Sequence, residues 1–163
     1  MSTAFDPRQD VIQRLDFARQ LFSADVQSMH PEHLSKTGGG ESRCGYDFLY
    51  EMIGFFSTLG SLLETGPGDI SGPDGSWVRA PQEFHHKENA LAAFGSAADG
   101  FTRALENYSG DFVNDVFPSP VGPFTPLGMA NLAVWHTMYH SGQLNYIQTM
   151  HGDVAFHWVP DNS

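Results

Sequence analysis

The part of the chain with the clearest chemical content is residues 135–148, where His136, His140 and Gln143 follow one another at steps of four and three residues. Successive residues of an α-helix are rotated by about 100°, so these three side chains would point within roughly 60° of one another. Two imidazoles one turn apart on one face can bind a single divalent ion. The spacing therefore predicts a metal site on a helix.

The two histidines continue an apolar stripe, because Met129, Leu132 and Ile147 recur with them at helical spacing. They are therefore expected to face the protein interior. A single inward histidine is more often a hydrogen-bonded core residue than a ligand. Two buried imidazoles need two sets of partners, however, and one shared ion satisfies both. A metal site is the prediction, and a polar core is the alternative.

A third ligand has to come from another helix, and the segment around residue 51 offers a carboxylate. Glu51 lies among apolar residues, and Asp47 precedes it by one turn. A carboxylate in such surroundings is expensive to bury unless it is paired or bound to metal. Alternatively, Asp47, Glu51 and Thr58 line a solvated face. Glu51 is the candidate ligand, and Asp47 or a loop histidine remains open as the third one.

Two further residues have a conceivable chemical role. His85 precedes His86, and adjacent helical residues point about 100° apart, so the pair cannot chelate one ion. One of them, His85 in particular, is a candidate general base at a pocket mouth, with a solvated helix start as the alternative. Cys44 precedes a helix whose dipole could lower the thiol pKa, but no local base marks it as catalytic.

Helical periodicity recurs four times in the chain, and strand alternation is never sustained. The sequence predicts helices over about 7–22, 46–63, 81–108 and 125–150. Asp6-Pro7 and Thr125-Pro126 are typical helix starts, whereas glycines and prolines indicate connections over 23–45, 66–84 and 109–124. We therefore predict an all-α chain that forms a single four-helix-bundle domain over residues 1–163.

The pattern His136-x3-His140-x2-Gln143-x2-Tyr146-Ile147 resembles the last-helix motif of the DinB/YfiT-like metalloprotein superfamily. The resemblance implies an up-down four-helix bundle that holds a divalent metal through three ligands in an open site. In that family two ligands lie on the last helix and the first, usually histidine, lies on the second. Matching the apolar frame of the second helix places Glu51 at that position, which is a departure from the family pattern.

Two histidines and one carboxylate favour Zn²⁺, with Ni²⁺, Mn²⁺ or Fe²⁺ as alternatives. The resemblance implies a metal-dependent hydrolase, or a transferase or isomerase that uses a low-molecular-weight thiol, acting on a small molecule; it also implies a homodimer. Gln143 would orient a metal-bound water or a ligand, or else cap a buried carbonyl. The start of the third helix and the 66–84 and 109–124 loops are expected to shape the pocket. A non-catalytic metal-binding or stress-associated bundle is the alternative.

Composition excludes several other classes of function. Eight basic and nineteen acidic residues give a formal net charge of −11, without a Lys/Arg cluster. This balance argues against binding to nucleic acid, which depends on basic residues, and against anionic membranes. No apolar run approaches the roughly 18 residues of a membrane span, and none resembles a signal peptide. A single cysteine is typical of a reducing compartment, so a cytoplasmic protein is expected.

Overall fold

A computed structural model describes residues 5–66, 76–119 and 122–158. In this part of the chain there are five α-helices, and the only β-type pairing is an isolated bridge between Phe117 and Phe124. The prediction of an all-helical chain is confirmed for these residues. The helices are α1 (Pro7–Ser28), α2 (Pro31–Ser35), α3 (Gly45–Thr65), α4 (Lys87–Asn107) and α5 (Pro126–Met150).

The helix starts follow from capping residues in the sequence. The Asp6 carboxylate accepts a hydrogen bond from the backbone N–H of Arg8 at the start of α1. At the start of α5, Thr125 Oγ1 accepts one from the backbone N–H of Gly128 at 3.0 Å. Each cap precedes a proline, whose fixed φ suits the first helical position. At the C-terminal end of α3, Gly66 adopts a φ of 83°, a left-handed conformation that glycine tolerates best.

The four long helices pack in pairs around a common apolar core. α3 contacts α4, α1 contacts α5, and further contacts join α1 to α4 and α3 to α5. Between α1, α3 and α4 the rings of Phe22, Phe94, Phe56 and Phe101 succeed one another at centroid distances of 4.9 to 5.8 Å. Because α3 and α5 are neighbours, residues 51, 136 and 140 are on adjoining helices. None of the described helices is long and apolar enough to span a membrane.

The first helix is longer than its sequence pattern predicts. α1 continues six residues past the predicted end at residue 22, to Ser28, and α2 occupies part of the predicted 23–45 connection. Asp25 interrupts the apolar pattern of this extension, yet it is buried. Its carboxylate accepts hydrogen bonds from Ser141 Oγ and from Trp158 Nε1, the latter at 2.7 Å. These partners are far away in sequence, so the local pattern gave no sign of them.

The third predicted helix begins later than expected. A 3₁₀ turn at Gln82–Phe84 precedes α4, which starts at Lys87 instead of residue 81. In this turn Phe84 packs edge-on against the rings of Tyr46 and Tyr50. Just before the turn, the backbone N–H of Ala80 donates a hydrogen bond to the carboxylate of Asp47 on α3. Contacts with α3 therefore keep residues 81–86 outside the helix.

The buried face of α5 was predicted only in part. Met129, His140 and Ile147 are buried as expected, whereas Leu132, His136 and Gln143 are only partly buried. The remaining buried positions of this helix are mostly small or polar: Pro126, Ala130, Ala133, Thr137, Ser141, Leu144 and Gln148. Because α5 packs against both α1 and α3, its buried surface is wider than one stripe. His140 lies within this surface, whereas His136 and Gln143 are only partly covered.

Candidate metal centre

Three predicted ligands come together between α3 and α5. The nitrogen and oxygen atoms that Glu51, His136 and His140 offer all lie within 4.8 Å of one another. His136 Nε2 is 3.1 Å from Glu51 Oε1, and His140 Nε2 is 3.6 Å from Glu51 Oε2. The two Nε2 atoms are 2.9 Å apart. Packing of α3 against α5 therefore brings a carboxylate to the pair of histidines.

These distances suit a tetrahedral ion. Zn²⁺ binds nitrogen and oxygen at about 2.0–2.2 Å, which places two ligand atoms of a tetrahedron about 3.3 Å apart. The two Nε2 atoms are somewhat closer than this, and the two imidazoles approach different oxygens of Glu51, at 3.1 and 3.6 Å. The group could therefore hold a metal ion.

Aromatic side chains fix both imidazoles. Phe48 stacks on His140 with a ring separation of 4.9 Å, and the Phe55 ring meets His136 edge-on at 4.6 Å. His140 is fully buried, whereas the side chains of His136 and Glu51 are each 20% exposed. The centre therefore has rigid walls on the protein side and remains reachable from solvent.

Gln143 contacts the ring nitrogen of His140 that faces away from the other candidate ligands. The Gln143 amide donates from Nε2 to the Tyr139 hydroxyl at 3.0 Å, which leaves Oε1 as the acceptor facing His140 Nδ1 at 2.7 Å. A neutral imidazole that donates from Nδ1 has a lone pair at Nε2. With an ion bound, a neutral His140 in this tautomer would offer the Nε2 lone pair to that ion. Without an ion, the same Nε2 is placed to donate to Glu51.

Arg43 contacts the candidate carboxylate ligand directly. Its guanidinium donates to Glu51 Oε2 and to the backbone oxygen of Asp47, and only 7% of its side chain is exposed. Burial by itself would raise the pKa of Glu51. Hydrogen bonds from His136 and His140, with the charges of His140 and Arg43, outweigh burial and hold that pKa well below its ordinary value. Glu51 is therefore ionised, as a ligand must be.

Asp47, the alternative third ligand, serves a structural purpose. Its carboxylate accepts hydrogen bonds from the backbone N–H groups of Cys44 at 2.9 Å and Ala80 at 2.7 Å. Arg79 Nη1 is a third partner at 3.3 Å. Asp47 therefore caps α3 and ties residues 79–80 to it, and the structure does not include it in the metal-binding group.

The other sequence candidates lie apart from the centre. His85 stacks on Tyr46 at 4.5 Å, and its buried Nδ1 has no hydrogen-bond partner within the described residues. It belongs neither to the metal-binding group nor to the lining of the adjacent pocket. Cys44 is buried, and burial raises the pKa of its thiol, which is opposite to the expected effect of the helix dipole. The loop histidine His33 stacks on His151 instead of reaching the centre.

A pocket of about 490 Å³ adjoins the centre. It reaches the centre through Arg43, Phe48 and Gln143, each of which contacts a candidate ligand. The 38–43 loop, Trp77 and the outer face of α5 form its walls. Trp77 agrees with the predicted role of the 66–84 loop, of which residues 67–75 lie outside the described part. The described residues of the 109–124 loop and of the start of the third helix do not line this pocket, so their role at a substrate pocket stays a prediction.

Arg43, Phe48 and Phe55 are neighbours of the centre that the sequence did not indicate. Phe48 and Phe55 lie within the predicted helix over 46–63, and only the packing of α5 shows which imidazole each ring touches. Arg43 precedes Glu51 by eight residues and lies outside α3, so helical spacing does not connect the two. A lone arginine before a helix gives no signal of this contact.

No protein-family model matches the chain, and no curated protein matches it in sequence. Among solved structures, it is similar to a conserved protein from Enterococcus faecalis, with a TM-score of 0.70 and 15% identity. The match covers 91% of this chain and 99% of that protein. At this identity the similarity shows a shared helical fold and carries no information about ligands or activity.

Proposed function

We propose that the chain is a DinB/YfiT-like four-helix-bundle metalloprotein that holds one divalent ion through Glu51, His136 and His140. We further propose that it is an enzyme acting on a small molecule. The observation that carries the proposal is the convergence of three ligand atoms from two helices at separations suited to one ion. The four long helices and their pairing support the bundle assignment. A homodimer remains part of the proposal.

Two histidines and one carboxylate favour Zn²⁺, and Ni²⁺, Mn²⁺ and Fe²⁺ accept the same ligands. When bound, such an ion would supply Lewis-acid chemistry, lowering the pKa of a water or thiol or polarising a substrate oxygen. Hydrolysis and thiol-dependent transfer or isomerisation both use this chemistry. The partly exposed ligands Glu51 and His136 leave room for a substrate on the solvent side.

The chain's own residues support such a reaction in distinct ways. Gln143 would hold His140 in the tautomer that offers Nε2 to an ion, and contacts with His136, His140 and Arg43 hold the pKa of Glu51 below its ordinary value. The Tyr139 oxygen accepts a hydrogen bond from Gln143, so its own proton is free to be donated elsewhere. Tyr139 also lines the pocket. We therefore assign Tyr139 as a proton donor to a leaving group and Gln143 as a positioning residue.

One observation favours a second candidate, a bundle whose polar centre has no catalytic role. Arg43 already gives Glu51 a cationic partner, and His136, His140 and Gln143 complete a hydrogen-bonded cluster. Buried polar groups need such partners whether or not an ion is present. A protein with this function would bind no ion, or would bind one without turnover.

Metal analysis decides between the two. Tag-free protein purified without chelators, and chelator-treated protein reloaded with Zn²⁺, Ni²⁺, Mn²⁺ or Fe²⁺, would be measured by inductively coupled plasma mass spectrometry. We expect about one equivalent in the wild type and in the exposed-histidine control His86→Ala, and almost none in His140→Ala. Absence of metal in every wild-type sample would favour the non-catalytic bundle. Ester hydrolysis and thiol-transfer assays on loaded protein then test for turnover.

A further inference from the structure

Four aromatic side chains form part of the wall of the pocket beside the centre. Phe48, Trp77, Tyr139 and Tyr146 line it, together with Ile147 and Met150. Trp77, Tyr139 and Tyr146 are 65%, 54% and 68% exposed, so much of their ring surface is uncovered. Aromatic rings gain most from offset or edge contacts with another planar group. The walls therefore suit a planar ligand, and a volume of about 490 Å³ admits a small organic molecule.

Two hydrogen-bond donors in the pocket lining have no acceptor. Ser42 Oγ and Arg43 Nε are buried, and neither has a hydrogen-bond partner within the described residues. A buried donor without an acceptor costs about 1–3 kcal/mol. Adjacent unpaired donors favour a ligand with two acceptor oxygens, such as a carboxylate.

The charges around the pocket favour an anion once the centre holds an ion. Two guanidinium groups, those of Arg43 and Arg79, lie at the 41–43 loop. Arg43 is paired with the Glu51 carboxylate, and Arg79 is paired with the Asp47 carboxylate. The carboxylate of Glu41 is fully exposed, so water and salt screen it. A divalent ion would leave this region net positive in a chain whose formal net charge is −11.

We infer that this pocket binds a small planar carboxylate, with its ring against Trp77 and Tyr146 and its oxygens facing Ser42 and Arg43. The inference rests on the proposed function, because it takes this molecule to be the substrate of the metal centre. Arg43 and Gln143 each join the pocket lining to a candidate ligand, so a molecule bound there lies next to the centre.

The probe is benzoate, titrated by saturation-transfer NMR against full-length protein, both zinc-loaded and chelator-treated. Three relatives divide its features: benzamide lacks the charge, cyclohexanecarboxylate lacks the planar ring, and acetate lacks the ring altogether. We expect saturable binding of benzoate, and binding at least about tenfold weaker for benzamide and acetate. Cyclohexanecarboxylate should bind several-fold more weakly than benzoate because it cannot stack.

Matched variants locate the binding site. Trp77→Ala should weaken benzoate binding about tenfold, whereas Trp135→Ala, which removes an equally exposed tryptophan outside the pocket, should not. A Cβ atom added at Gly142 meets no atom within 4 Å, and the same is true of Gly95 on α4. Gly142→Leu should therefore fold and block the pocket, and Gly95→Leu should fold and bind normally. Ser42→Ala should weaken benzoate binding about fivefold.

The outcomes separate this inference from the proposed function. If the wild type holds about one equivalent of ion but benzoate does not saturate, the inference is overturned and the metal centre stands. If the chain takes up no ion, the chelator-treated samples test the pocket by itself. Benzoate binding that depends on Trp77 and Ser42 would support the inferred carboxylate site, and the absence of binding would overturn it. If benzoate binds only in the presence of zinc and Ser42→Ala does not weaken that binding, the carboxylate lies on the ion. This result would also overturn the assignment of its oxygens to Ser42 and Arg43.

Discussion

His140 Nδ1 lies 2.7 Å from Gln143 Oε1, one helical turn further along α5. This contact holds the imidazole with its Nε2 facing His136 and Glu51. The amide is itself oriented by the Tyr139 hydroxyl, 3.0 Å from Gln143 Nε2. A candidate ligand, the residue that orients it and a residue of the pocket lining are thus joined by two hydrogen bonds within one helix.

Replacing the orienting amide should weaken the metal site without removing a ligand. Gln143→Ala frees the His140 ring to change tautomer, and losing such a partner typically costs 10–100-fold in metal affinity, so we expect about that loss for Zn²⁺. Competition with a chelating dye measures it. Tyr139→Phe removes only the hydroxyl that orients the amide, so its loss of Zn²⁺ affinity should be several-fold smaller than that of Gln143→Ala. Equal affinities in wild type and Gln143→Ala would show that the contact does not support binding.

Loss of the buried imidazole should abolish metal binding and leave a helical protein. His140→Ala removes a ligand and the ring that stacks on Phe48, so the metal-free variant should lose about 2 kcal/mol of unfolding free energy. Metal analysis, circular dichroism and urea denaturation test the three statements. His85→Lys should keep the wild-type metal stoichiometry, because His85 lies apart from the centre. Full metal content in His140→Ala would refute the ligand assignment.

The Glu51 carboxylate should stabilise the chelator-treated protein in a pH-dependent way. Burial opposes ionisation, but the histidine contacts and Arg43 hold its folded-state pKa below the ordinary value of 4.5. Between those two pKa values the unfolded chain binds more protons, so this stability is present above about pH 4.5 and is lost as pH falls below it.

Glu51→Gln should therefore be less stable than wild type by about 2 kcal/mol at neutral pH, since Arg43 loses its partner. The difference should shrink as the pH of the urea titration is lowered below about 4.5. Glu64→Gln, an exposed substitution near the end of α3, should show no such trend. A stability difference that grows on acidification would contradict the assigned pKa direction. In the metal-loaded protein, Glu51→Gln should also reduce Zn²⁺ affinity strongly.

Asp47 should contribute to folding rather than to metal binding. Asp47→Ala removes the cap of α3 and the hydrogen bond to the Ala80 backbone, and we expect a loss of about 2 kcal/mol. Thermal and urea denaturation measure this loss, with Glu64→Ala as an exposed acidic control in the same helix. Metal content should stay at the wild-type level. A variant that folds normally but binds no metal would restore Asp47 as the third ligand.

Much of the helical architecture was accessible from the sequence, because it depends on local rules. Periodicity and the caps at Asp6 and Thr125 located the long helices to within a few residues at most of their ends. The errors lie where distant contacts decide. α1 continues past residue 22 because Asp25 meets Ser141, and residues 81–86 stay outside α4 because Phe84 packs on α3.

The sequence by itself determined that His136, His140 and Gln143 share one face of a helix, because helical geometry alone sets the relation between residues three and four apart. Only the tertiary structure groups Glu51, and not Asp47, with the two histidines, since both lie on the same helix and differ in what the neighbouring segments bring to them. It also brought Arg43 to the carboxylate and opened the pocket beside Trp77. Those relations depend on how α3, α5 and their loops pack, which no short-range pattern encodes.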